Sequence, residues 1–208
     1  MIPVNVLAVR YLPGASESLL KALGAPKGYP SLAMLTTDCD DATYIALDEA
    51  TKAADGKVCY GRSFYAGAAN ASTHNAVEVI GILAGTTPGT VRSGMAAALD
   101  ALERIGFEQA QDVPYLAHTV SRSGSFLAAE AGVPEGTPLA YLIAPPLESM
   151  YAMDAALKAA DVKLCKLYAP PSETNFGGGL LSGTRSACQA ACDAFARAVA
   201  EVAARPEE

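Results

Sequence analysis

Apolar positions in this chain fall into two patterns that take turns. Short runs, VNVLAV (4–9), SLAML (31–35), PYLAHTV (114–120) and LAYLI (139–143), are nearly continuous and partly β-branched, which predicts strands. GKVCYG (56–61) and VKLCKLY (162–168) read the same way. Between them LDEATKAA (47–54) and MDAALKAA (153–160) carry helix formers with Asp near the start, where the helix dipole favours a negative charge. The Ala-rich stretches 90–105 and 184–204 predict long closing helices. Ser16 and Ser125 precede short apolar-periodic stretches, as helix-entry residues do.

The pattern occurs twice. Segment 46–59, ALDEATKAADGKVC, matches 152–165, AMDAALKAADVKLC, and GAPKGYPSLAML (24–35) matches GVPEGTPLAYL (132–142). GILAGTTPGTVRSG (81–94) resembles GLLSGTRSACQAAC (179–192) at a shorter offset, so the preceding loop is longer in the first half. Each half reads strand, short helix, turn, strand, strand, helix, strand, long loop, strand, helix. A mixed α/β (α+β) fold follows: two tandem domains, 1–107 and 108–208, each a small sheet with packed helices. Tandem copies of this kind can close into a ring in which three chains imitate a hexamer.

Composition narrows the function. Of the 208 residues half are apolar, 18% are charged and the net charge is −7, with no basic stripe for nucleic acid and little attraction to anionic membranes. No apolar window is long enough to cross a bilayer, and no basic leader opens the chain, so a cytosolic protein is expected. The five cysteines lack metal-type spacing and are expected as reduced thiols, with Cys188 and Cys192 buried on a helix.

Candidate chemistry concentrates in TTDCDDATY (36–44), where Asp38, Asp40 and Asp41 crowd one strand end. Asp38 and Asp40 could serve a phosphotransferase of the haloacid-dehalogenase type as nucleophile and proton carrier. That chemistry wants Thr where Ala42 stands, and the equivalent strand in the second half ends IAPPLES, without Asp. A solvated acidic turn is the plainer alternative. His74 and His118 are far apart in sequence, with His118 read as a packing residue in a strand. GGGL (177–180) lacks the Lys that a phosphate loop needs. No nucleophile set assembles, so neither catalysis nor a bound metal or cofactor is expected. The Gly- and Ala-rich segments 60–78 and 168–179 occupy equivalent places in the two halves and read as loops able to take more than one conformation.

The segments TTDCDDATYIALDEATKAADGKVCYGRSFYAGAAN, LAHTVSRSGSFLAAEAGV, AYLIAPPLESMYAMDAALKAADVKL and PPSETNF together resemble the ethanolamine-utilisation microcompartment shell proteins of the L type, over nearly the whole chain. The resemblance implies circularly permuted shell domains and a homotrimer of pseudo-hexagonal outline that tiles a shell with other shell proteins. It also implies a central pore gated by loops, and small pores that bind ethanolamine. Carried onto this sequence, the ligand set is Asp40, Asp41, Glu78, Phe107, Thr174, Asn175 and Phe176. Carboxylates would supply acceptors and negative potential to a small ammonium ion, and an aromatic face would add cation–π attraction. A soluble trimeric amine sensor is the alternative of a different class.

Overall fold

The computed structural model describes residues 1–65, 77–170 and 175–207. The chain forms two compact units. One comprises Pro3–Ile105 with Gly124–Leu127; the other comprises Met1–Ile2, Gly106–Ser123 and Ala128–Glu208. Four residues from the second half of the sequence therefore belong to the unit built by the first half.

The first unit holds β1 (Val6–Leu12), α1 (Glu17–Ala22), β2 (Ser31–Thr37), α2 (Asp40–Ala53), β3 (Gly56–Tyr65), β4 (Val77–Gly85) and α3 (Pro88–Leu102). Its strands pair in the order β1-β2-β4-β3, every pair antiparallel. Buried Leu32, Ile82 and Ala84 look toward Leu20, Leu23 and Tyr29 of α1 and the following turn. The alternate positions meet α2 and α3: a Cβ on Gly81 would come 2.4 Å from Leu47 Cδ1, and one on Gly94 would come 2.6 Å from Leu83 Cδ2. Helices thus cover both faces, which is why β2 reads as a continuous apolar run and not as an alternation.

The second unit repeats the plan with β5 (Glu108–Ala110), β6 (Val113–Val120), α4 (Ser125–Ala131), β7 (Leu139–Ala144), α5 (Pro146–Ala159), β8 (Val162–Tyr168), β9 (Gly177–Gly183) and α6 (Arg185–Ala204). The strand order is β5-β6-β7-β9-β8, again antiparallel throughout. Ala140, Leu142, Met153, Leu181, Phe195 and Val199 form its core between sheet and helices. Cys188 and Cys192 lie buried within it on α6, as expected for small packing residues. The sheets are antiparallel, so the mixed fold is of the α+β kind.

The repeat is geometric as well as textual. Gly24 and Gly28 take φ of 70° and 87°; Gly132 and Gly136 take 65° and 87°, left-handed values that a side chain opposes. Both edge strands, β3 and β8, shift register where Cys59 and Cys165 stand.

Two expectations need correction. Each half has one strand, not two, between the turn and the first long helix, because that helix starts earlier than its apolar pattern shows. α2 begins at Asp40 and α5 at Pro146. The segment 60–78 is not all loop: β3 runs on to Tyr65, whose backbone pairs with Val77. The conformations expected of the two long loops fall largely on residues 66–76 and 171–174, outside the described residues.

Candidate functional site

The junction of β2 and α2 is built from hydroxyls and carboxylates. Cys39 N donates to Thr37 Oγ1 at 3.1 Å, and Thr43 Oγ1 donates to Cys39 O at 2.8 Å. The two threonine oxygens are themselves 2.6 Å apart. Thr37 and Thr43 thereby fix the turn from strand to helix without any side-chain cap from Cys39.

That turn decides what the three aspartates do. Asp38 lies before the helix and accepts from Asn5 N at 2.8 Å with one oxygen and from Asn5 Nδ2 at 2.7 Å with the other. Its carboxylate is a clamp on the segment that precedes β1, not a free nucleophile. Asp40 and Asp41 occupy the first turn of α2, at the positive end of the helix. Asp38, Asp40 and Asp41 are only 9%, 8% and 6% exposed, which overturns the solvated-turn alternative. Their charges bear on the thiol between them. Burial first, and then the charges of Asp41, Asp40 and Asp38, push the Cys39 thiol far above its ordinary value.

Glu78 lies on β4, where its backbone pairs with Phe64 on β3. Asp40, Asp41 and Glu78 thus belong to the first unit.

The remaining expected ligands belong to the second unit. Phe107 is buried, accepts from Ile2 N through its carbonyl at 2.6 Å, and packs its ring on Phe176. The centroids are 5.8 Å apart with planes tilted by 32°, an ordinary aromatic pairing. Asn175 is exposed and holds φ of 66°, a conformation that Asn tolerates better than most residues. Thr174 lies outside the described residues. The structure thus brings Phe107 and Phe176 together and places Asp40 beside Asp41, each group within its own unit.

Next to Phe176 the run Gly177-Gly178-Gly179 has a packing cause. A Cβ on Gly178, at φ 145°, would come 1.9 Å from Leu142 O, and one on Gly177 would come 2.6 Å from Ser149 Oγ. These glycines let β9 press against β7 and α5.

Sequence reasoning missed one buried acid. Asp48 on α2 is fully buried and accepts from Gly124 N at 2.7 Å and Leu127 N at 2.8 Å, while Thr51 Oγ1 accepts from Ser125 N at 3.1 Å. The entry of α4 is therefore capped by α2 and not by Ser125. α1 differs, because Ser16 caps it in the expected way, accepting from Leu19 N at 3.4 Å. The signal available was the pair Asp48/Asp154 at matching repeat positions, which says that an acid sits there but not what it bonds.

A tandem of two such antiparallel units defines a class of microcompartment shell proteins. A trimeric shell protein called PduB superposes with a TM-score of 0.82 at 20% identity over 96% of this chain and 89% of its own, a likeness of fold. Nearer relatives carry the argument further. The microcompartment shell protein EutL of Clostridium perfringens is 56% identical over 99% of this chain and 97% of its own length. The Escherichia coli EutL is 46% identical over 99% of this chain and 96% of its own. The crystal structure of an ethanolamine utilization protein EutL from Leptotrichia buccalis superposes with a TM-score of 0.95 at 59% identity, over 100% of this chain and 97% of its own. No family model matches the sequence. The chain belongs to the EutL family of bacterial microcompartment shell proteins. Its role is structural, as a shell component, and it is not an enzyme.

Proposed function

We propose that the chain is a trimeric shell tile whose tandem domains, 1–107 and 108–208, close three copies into a six-cornered plate. Two relatives support the assembly and the cargo: PduB is described as trimeric, and the Leptotrichia relative as an ethanolamine utilization protein. In this reading small passages through the plate bind and admit ethanolamine, and a central pore, opened and closed by loop rearrangement, serves larger molecules such as cofactors.

The observation that favours a cationic guest is the crowding of buried carboxylates at the β2–α2 junction. Three carboxylates lie almost out of water, and their charges oppose thiolate formation at Cys39. A potential that disfavours a new negative charge favours an ammonium ion entering the same place, and more strongly in a narrow passage than in open solvent. Asp40 and Asp41, side by side in the first turn of α2, are the proposed ammonium acceptors, with Glu78 joining them. Phe107, Thr174, Asn175 and Phe176 form the second part of the proposed ligand set. There the Phe107–Phe176 pair offers aromatic surface to a cation.

Gating then follows from differential affinity. If the ligand contacts exist only with the loops closed, ethanolamine shifts the population toward closure by the ratio of its affinities for the two states. Calorimetric titration of ethanolamine into the trimer tests the reading. Saturable binding in the millimolar range or tighter supports it, and heats indistinguishable from buffer at tens of millimolar would sink it.

A further inference from the structure

One contact inside the first unit has a counterpart elsewhere in the chain that stands uncovered. In the first unit, residues 124–127 lie on α2 and β3. Asp48 caps their backbone, Phe126 packs at 6.0 Å from Tyr44 and lies beside Gly61, and Leu127 and Ile45 are completely or almost completely buried. The repeat says which residues would make the same contact a second time. α2 and β3 correspond to α5 and β8 at an offset of 106, so Asp48, Ile45 and Gly61 become Asp154, Tyr151 and Leu167. The positive-φ glycines correspond at an offset of 108, so Gly124, Phe126 and Leu127 become Ser16, Ser18 and Leu19.

All six counterparts are open to solvent. Leu19 is 39% exposed where Leu127 is 1%, and Tyr151 is 49% exposed where Ile45 is 0%. α1 contributes no fully buried residue. Asp154 is exposed and bonds to Lys158 at 2.5 Å, just as Asp48 faces Lys52 one turn along its helix. The sizes at the second site are also exchanged. Where the ring of Phe126 lies against the hydrogen of Gly61, the small Ser18 corresponds to the large, exposed Leu167. An exchange of bulk across a contact keeps its volume, which is what close packing requires.

We infer that α5 and β8 of one copy receive the start of α1 of a second copy, with Asp154 accepting from the N–H group of Ser16, and with Leu167 seated over Ser18. The contact is heterologous, head to tail, so it closes into a ring where the rotation per chain permits. This rests on the trimer proposed above and names the surface that builds it.

Sedimentation velocity on the full chain tests the surface, with circular dichroism and melting of each variant as the folding control. Ser18→Phe alone and Leu167→Gly alone are expected to weaken self-association at least tenfold. The double variant, which copies the Phe126–Gly61 arrangement, is expected to recover to within a few-fold of the wild type. Asp154→Ala, at a position exposed in the single chain, is expected to weaken association while leaving the fold intact. A wild-type trimer that ignores Ser18→Phe, Leu19→Arg and Asp154→Ala would overturn the surface and leave the trimer standing. Additive losses without recovery in the double variant would overturn the pairing of Ser18 with Leu167. A wild-type chain that stays monomeric at every concentration would overturn both.

Discussion

Asn5 holds Asp38 by both carboxylate oxygens, through its backbone N–H and its side-chain amide. One acid of the cluster is thereby spent on structure, tying the segment before β1 to the end of β2, while Asp40 and Asp41 stand in the first turn of α2. Replacing Asp38 by Asn would set an amide nitrogen against one of two donors. A loss of about 1–3 kcal/mol in unfolding free energy is expected, the cost of an unmet donor at a part-buried site. Urea unfolding would measure it, and ethanolamine titration of the same variant should show a smaller loss of affinity than replacement of Asp40 or Asp41.

Asp40→Asn and Asp41→Asn address the ligand instead. Each keeps the shape and removes a charge from the first turn of α2, where it faces the helix dipole. Ethanolamine affinity is expected to fall about tenfold or more in each, since a hydrogen bond to a charged group contributes roughly 1.5–3 kcal/mol. Calorimetry with the uncharged analogue ethylene glycol should show no such difference between variant and wild type.

Asp48 should make stability depend on pH. Burial raises its carboxyl above the ordinary value, against the opposing pull of the Gly124 and Leu127 N–H groups and of Lys52. A raised value means that the folded state holds this proton more tightly than the unfolded chain does. The stability it adds is complete below the unfolded carboxylate value and is lost as pH rises through the folded one. The urea-midpoint advantage of wild type over Asp48→Asn should therefore shrink as pH is raised from about 4 toward neutrality. An advantage that grows over that range would refute the assignment.

The glycines separate two kinds of cost. At Gly28 a Cβ meets nothing within 4 Å, so Gly28→Ala should cost only the left-handed strain, about 1–2 kcal/mol. Gly178→Ala drives a Cβ to 1.9 Å from Leu142 O and should break the β7–β9 pairing. Thermal melts should show a modest shift for the first and little folded, soluble protein for the second.

The Cys39 thiol should resist maleimide at pH 8 in the folded protein and react once the chain is unfolded, because burial and three neighbouring carboxylates suppress its thiolate. Peptide mass spectrometry after labelling would report it directly.

Much of this protein was legible in its residues. Doubling showed in repeated words, strands in β-branched apolar runs, and the turns in Gly-x-Pro-x-Gly-x-Pro, because each depends on neighbours in the chain and on side-chain periodicity. The acidic cluster was legible as a cluster. Its division of labour was not. Whether Asp38 meets Asn5, whether Asp48 caps Gly124 and Leu127 while Asp154 pairs with Lys158, and whether α2 begins at Asp40 are matters of which distant groups fold against each carboxylate. A local pattern carries propensity and charge. Partners 33 or 76 residues away are chosen by packing, and only the folded chain decides them.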